Sequence, residues 1–226
     1  MYFPETPTQR LNNSTTDQLT TYNSQSSYYK YWGKTVNIPE DGPAVHLLPY
    51  HSLDVSAIGQ VLLSRHKGRF DFLTLHSGLT LELFTSIACY FLAIHDMGKF
   101  SDTFQSIQPK AAFTLRDKEI KTPYDIRHDA LGYLLWDNSL NEDFSAFFLA
   151  NYQLSKDEFF RWLELFDVWA LAFAGHHGQT PKRCYTSLNR YFSRENIEAA
   201  RLYTEECQLF FFRNTTALQP PWPLKK

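Results

Sequence analysis

Cysteine is scarce in this 226-residue chain: Cys89, Cys184 and Cys207 stand far apart and never as a C-x-x-C pair. That leaves no disulfide framework and no zinc ribbon, so folding must rest on a hydrophobic core, and a reducing, cytoplasmic setting fits. Excess charge is missing too. With 22 Lys and Arg against 24 Asp and Glu the formal net charge is -2, so composition carries no global basic field for nucleic acid and any such surface must be local. No basic-then-apolar signal opens the chain, whose early run Asn12-Asn13-Ser14-Thr15-Thr16 is polar. The longest apolar segment, around Leu81 to Ile94, is broken by Glu82, Thr85 and Ser86, too short and too polar for a bilayer, so no membrane partner is expected. A G-x-x-x-x-G-K-[ST] phosphate loop is absent, and with it a built-in motor. Internal repeats and strand-period segments are not found either.

Aromatics are abundant, with 19 Phe and 13 Tyr in a chain that is 43% hydrophobic, which implies one folded, well-buried domain. Residues 1–28, rich in Ser, Thr, Asn and Gln, read as a flexible leader unable to bury enough surface to fold alone. The domain is expected over 29–218. The Pro-rich stretch 219–226, with Gln219-Pro220-Pro221-Trp222-Pro223, reads as an extended exit or linker. Within the domain, Pro39-Glu40-Asp41-Gly42-Pro43 separates an aromatic entry, Tyr28 to Lys34, from a first helix over about 45–64.

Leu48, Val55, Ile58 and Leu62 recur at helical spacing there, with His51 in the stripe. A second helix is predicted from about Thr80 to Met97, its buried face Phe84, Ile87, Phe91 and Ile94, with Gly98 as its stop. Residues 100–127 lack sustained periodicity and read as a long loop with room for a short helix, of the kind that is often functional. His128 opens a helical stretch, and the clearest helix covers Glu158 to Gly175, with Phe159, Trp162, Phe166, Trp169 and Phe173 in register and His176 next in the series. A last helix is predicted from Glu195 to Phe212. The predicted architecture is all-α, a bundle of about six to eight helices.

His51, His95, His128 and His176 each lie on, or at the end of, the apolar stripe of a different helix. Such stripes face a common core, so the four can meet where helix ends converge. Singly, each is more simply a hydrogen-bonded core imidazole; together they favour a metal site. Two features strengthen that reading. His95 is followed by Asp96, and imidazole and carboxylate are taken together by borderline divalent metals, with the carboxylate able to bridge two ions. His176 is followed by His177 and Gly178, a paired-imidazole helix end. After Gly178 comes a basic-aromatic segment without an acid until Glu195. Its Lys182, Arg183, Tyr185 and Arg190 offer cations for a backbone and a ring for base stacking, a candidate DNA-binding set, although a solvated loop leading into a helix explains it as well.

The order Tyr50-His51-Ser52-Leu53-Asp54-Val55, Ile94-His95-Asp96-Met97-Gly98-Lys99-Phe100, Arg127-His128-Asp129-Ala130-Leu131-Gly132 and Gly175-His176-His177-Gly178 resembles the HD phosphohydrolase superfamily. More closely, it resembles the HD nuclease domain of the CRISPR-associated nuclease-helicase of type I systems. Tyr31-Trp32-Gly33-Lys34 and His46-Leu47-Leu48 resemble its I-E-like branch. The resemblance implies an HD-domain helical bundle with a metal site at converging helix ends. It also implies two divalent transition ions (Mn, Co, Ni or Fe, with Mg possible), one held by His51, His95 and Asp96, the other by Asp96, His128, His176 and His177. Asp96 and Lys99 would be the catalytic pair, Lys99 facing phosphate. The implied activity is hydrolysis of single-stranded DNA with a metal-activated water. The implied partners are an RNA-guided CRISPR surveillance complex and a helicase domain in cis or in trans.

One element of that pattern has no match. The superfamily closes its first metal site with a late Asp, and no Asp follows Asp167 here; Glu195, Glu198, Glu205 and Glu206 are the acids that could stand in. Two other functions therefore stay open: a non-catalytic HD-like module that binds the surveillance complex or its nuclease, and an HD phosphohydrolase acting on free nucleotides.

Overall fold

The computed structural model describes residues 26–38, 42–66, 68, 70, 71, 74, 79–151 and 155–213. The polar leader, apart from residues 26–28, and the exit at 219–226 lie outside them.

After a 3-10 turn at Ser27–Lys30, the described chain forms an element that the sequence concealed. Strand β1, Trp32–Ile38, pairs antiparallel with β2, Gly42–Leu47, so that Val36 lies opposite Ala44 and an irregularity falls between Trp32 and Lys34. Gly33, Gly42 and Pro43 sit within these short strands, and such breakers hide a period of two. Val45 belongs to β2, so the first helix, α1, runs Leu48–Arg65, with Pro49 in its first turn where a missing N–H costs nothing.

Among the described residues, everything after the hairpin is helical or connecting chain, as an all-α class requires. Helix α2 spans Leu81–Ala93, α3 Asp102–Gln105, α4 Pro109–Arg116, α5 His128–Leu135, α6 Asn141–Asn151, α7 Lys156–Ala174 and α8 Arg194–Phe212. A π turn, Trp136–Leu140, joins α5 to α6. The stretch 100–127 thus holds α3 and α4 before it becomes irregular. None of the described helices is long and apolar enough to cross a membrane.

Helix α2 lies at the centre of the core. Thr80 caps it by accepting from the Leu83 N–H, and Ile87, Tyr90, Phe91 and Ala93 are all but inaccessible. Aromatic rings do most of the packing: Phe144 of α6 stacks on Tyr90 at 4.8 Å and meets Phe166 of α7 edge-on at 4.6 Å. Helix α7 begins with a reciprocal capping box between Ser155 and Glu158. Ser155→Ala is expected to cost about 1 kcal/mol, read as a lower urea midpoint with an unchanged slope.

The predicted second helix runs too far. It stops at Ala93, and the chain turns through Ile94, His95 and Asp96 into a 3-10 turn, Met97–Phe100. Gly98 is therefore not a helix stop. It lets this turn press on α5: a Cβ there would lie 1.8 Å from the His128 carbonyl oxygen and 2.6 Å from the Gly132 nitrogen. The close approach sets Asp96 beside the first residue of α5.

Candidate metal centre

Four chain segments deliver the predicted ligands to one place. His51 comes from the first turn of α1, His95 and Asp96 from the turn after α2, His128 from the start of α5, and His176 and His177 from just past α7. Asp96 is 2% exposed and lies among them. Its Oδ2 is 3.0 Å from His51 Nε2 and 3.1 Å from His95 Nε2. Its Oδ1 is 3.4 Å from both His128 Nε2 and His176 Nε2. His177 Nε2 lies 3.0 Å from His128 Nε2. Two sets of potential ligands result: His51, His95 and Asp96, all buried, and the more open His128, His176 and His177.

The protonation states suit metal ligation. Burial would raise the Asp96 pKa, but His128, His51 and His95 around it hold it well below the usual carboxylate range, so it is ionised at neutral pH. Burial pushes His176 down to about 4 against the pull of Asp96, which leaves a neutral imidazole at pH 7. His177 is lowered as well, by burial and then by His128. Backbone carbonyls select the tautomers: His95 Nδ1 lies 2.6 Å from the Leu92 carbonyl and His176 Nδ1 3.2 Å from that of Phe173. An Nδ1–H donated to each carbonyl leaves the Nε2 lone pair free to bind a cation. Asp96 Oδ1 is buried without a hydrogen-bond partner. An orphaned anionic oxygen beside the free Nε2 of His176 suits a divalent cation.

Lys99 is buried rather than solvated. Its Nζ lies 2.7 Å from Asp96 Oδ2, donates to the Gly33 carbonyl at 3.1 Å and sits 5.4 Å from the centre of the Phe104 ring. The residues of the basic-aromatic segment lie on the surface and outside both ligand sets. Arg183 donates to the Tyr133 hydroxyl at 3.2 Å and Arg190 pairs with Asp125 at 3.1 Å. Lys182 is exposed, and Tyr185 is 94% exposed.

None of the four glutamates offered as substitutes joins the ligands. Glu195 pairs with Arg116 at 3.3 Å, Glu206 accepts from the Tyr28 hydroxyl at 2.6 Å, and Glu198 and Glu205 are exposed on α8. Among the described residues Asp96 is the one carboxylate in either set. Sequence reasoning also passed over Tyr124, whose hydroxyl meets both the backbone nitrogen and Nδ1 of His128. A lone tyrosine in an aperiodic stretch gives no pattern by which to find it.

Comparison with known proteins gives the chain's family and fold. The family described as "Cas3, HD domain" matches residues 32–224. The CRISPR-associated endonuclease/helicase Cas3 of Escherichia coli K12 is 28% identical over 158 residues, 66% of this chain and 17% of that protein. The chain thus matches only about a sixth of that relative's length. A solved structure described as "Crystal structure of CRISPR-associated protein" shares the fold, with a TM-score of 0.57 at 20% identity over 85% of this chain and 20% of that one.

Proposed function

The chain belongs to the family of Cas3 HD domains, and from that premise we propose that it is a metal-dependent nuclease domain that hydrolyses single-stranded DNA in type I CRISPR interference. The observation that carries the reading is the Asp96 carboxylate, one oxygen turned to His51 and His95 and the other to His128 and His176. His51, His95 and Asp96 would hold one divalent ion, and Asp96, His128, His176 and His177 a second. Mixed nitrogen and oxygen donors suit Mn, Co, Ni or Fe. When bound, such a pair supplies a water deprotonated near neutral pH and charge stabilisation for the oxygens of a phosphodiester.

The chain's own residues do the rest. The leucine and phenylalanine carbonyls hold His95 and His176 in their ligating tautomers. Lys99, tethered by Gly33, places a positive charge against the Asp96 carboxylate, from which it would meet a phosphate oxygen. Lys182, Arg183, Tyr185 and Arg190 would guide a single strand towards the site by charge and stacking. A helicase domain, in cis or in trans, and an RNA-guided surveillance complex would present that strand.

The test is cleavage of a circular single-stranded DNA by the purified 226-residue chain with Mn or Co, with EDTA as control. Opening of the circle that EDTA abolishes is the expected result. Lys99→Ala is expected to slow cutting by about 10²-fold while metal uptake, measured by calorimetry, persists. A second reading draws on the solitary carboxylate: an HD-like module that binds the surveillance complex without cutting. A folded, metal-loaded chain that leaves the circle intact would favour it.

A further inference from the structure

Tyr124 lies in the irregular chain between α4 and α5, four residues before the ligand His128. Its hydroxyl oxygen is 3.0 Å from the backbone nitrogen of His128 and 3.1 Å from His128 Nδ1. The backbone N–H is one of the orphan donors at the start of α5, and no side chain from the N-cap residue, Arg127, satisfies it. It can only donate, so the tyrosine oxygen accepts there. The second contact has two forms. Either the phenol donates to Nδ1, which puts the ring proton on Nε2, or Nδ1–H donates to the phenol, which frees the Nε2 lone pair.

Surrounding geometry favours the second form. A phenolic oxygen has two lone pairs and can accept from both nitrogens. Tyr124 is 39% exposed, so its own proton can turn to water. His128 Nε2 in turn makes no hydrogen bond to Asp96 Oδ1 at 3.4 Å, and His177 Nε2 at 3.0 Å can donate to a lone pair there; the same lone pair is what an ion requires. Tyr124 is itself held in place, its ring edge-on to Phe104 at 6.0 Å and Phe104 packed on Trp32 of β1 at 4.6 Å.

We propose that Tyr124 is a positioning residue of the metal centre, clamping His128 through two hydrogen bonds to one oxygen and fixing the tautomer in which Nε2 binds the second ion. The inference rests on the metal reading above for its consequence, but not for its first test. In the metal-free chain with 15N-labelled histidine, His128, assigned by its loss in His128→Gln, is expected as the Nδ1–H tautomer. In Tyr124→Phe, which keeps the ring packing, it should shift towards the Nε2–H form. Mn2+ calorimetry at fixed pH supplies the second readout. Tyr124→Phe should weaken the His128-containing site by about 10–100-fold, as removal of an outer partner of a histidine ligand does, and leave the His51 and His95 site unchanged. A wild-type His128 protonated at Nε2, or a variant with wild-type tautomer and both wild-type affinities, overturns the proposal. If wild type takes up no Mn2+, the metal reading fails instead, and the tautomer still decides what Tyr124 does.

Discussion

Asp96→Ala is expected to abolish both uptake of a pair of divalent ions and metal-dependent cleavage. One substitution reaches both because Asp96 contacts the two ligand sets through different oxygens. Removing a single stabilising group from an active site commonly costs about 10²–10³-fold in rate, and this change takes a ligand from each ion, so activity should fall further. Lys99 complicates the outcome in a measurable way. Buried against Asp96 at 2.7 Å, its ammonium would lose its counter-charge, and breaking a buried pair from one side typically costs about 3–5 kcal/mol. The variant should therefore be less stable even without metal. Asp96→Asn separates the effects, since the amide keeps the shape and a carbonyl acceptor for Lys99 but carries no charge for the ions. Calorimetry with Mn2+, a urea titration and circular-substrate cleavage read the three consequences apart. Wild-type cutting by Asp96→Ala would defeat the assignment of this site.

The ligands were legible in the sequence because each histidine interrupts or ends an apolar stripe, and stripes share a core. His95, His128 and His176 needed only that rule. On α1 the rule fails, because Ile58 and Leu62 are 62% and 49% exposed and His51 is buried with Leu48, Ser52 and Ser56 instead, yet the structure brings all four histidines to Asp96. Two features escaped for different physical reasons. The β1–β2 hairpin is short and carries glycine and proline inside its strands, so its alternation never extends far enough to register. The end of α2 was placed four residues late, at Met97 instead of Ala93, because apolar residues continue at helical spacing through Ile94 and Met97. Where the helix stops, the turn that follows packs against another segment, a tertiary event that no local period encodes. The burial of Lys99, a residue the resemblance already singled out, belongs to the same class: no local pattern announces it, and the Gly33 carbonyl from the unforeseen hairpin shows how it is held.

That tertiary event can itself be tested. Gly98→Ala is expected to be the most damaging methyl group that could be added near the centre. The atoms it would meet, the His128 carbonyl at 1.8 Å and the Gly132 nitrogen at 2.6 Å, are backbone and cannot rotate aside. Overpacking of this kind costs about 1–3 kcal/mol, occasionally more, and relief requires the 97–100 turn to retreat from α5. Such a retreat would carry Asp96, two residues upstream, away from His128, and a displacement of about 1 Å at a reacting centre can cost about 10²-fold in rate. Gly178→Ala is the informative contrast. Its Cβ would enter open space, and its φ of +80° imposes a penalty of about 1–2 kcal/mol next to His177 without wedging the turn from α5. Both variants should lose stability in urea, but Gly98→Ala should also weaken Mn2+ binding where His128 and Asp96 must act together. Stability and Mn2+ affinity equal to wild type in Gly98→Ala would mean that the turn does not bear on α5, and the coupling of that packing contact to the metal centre would fall with it.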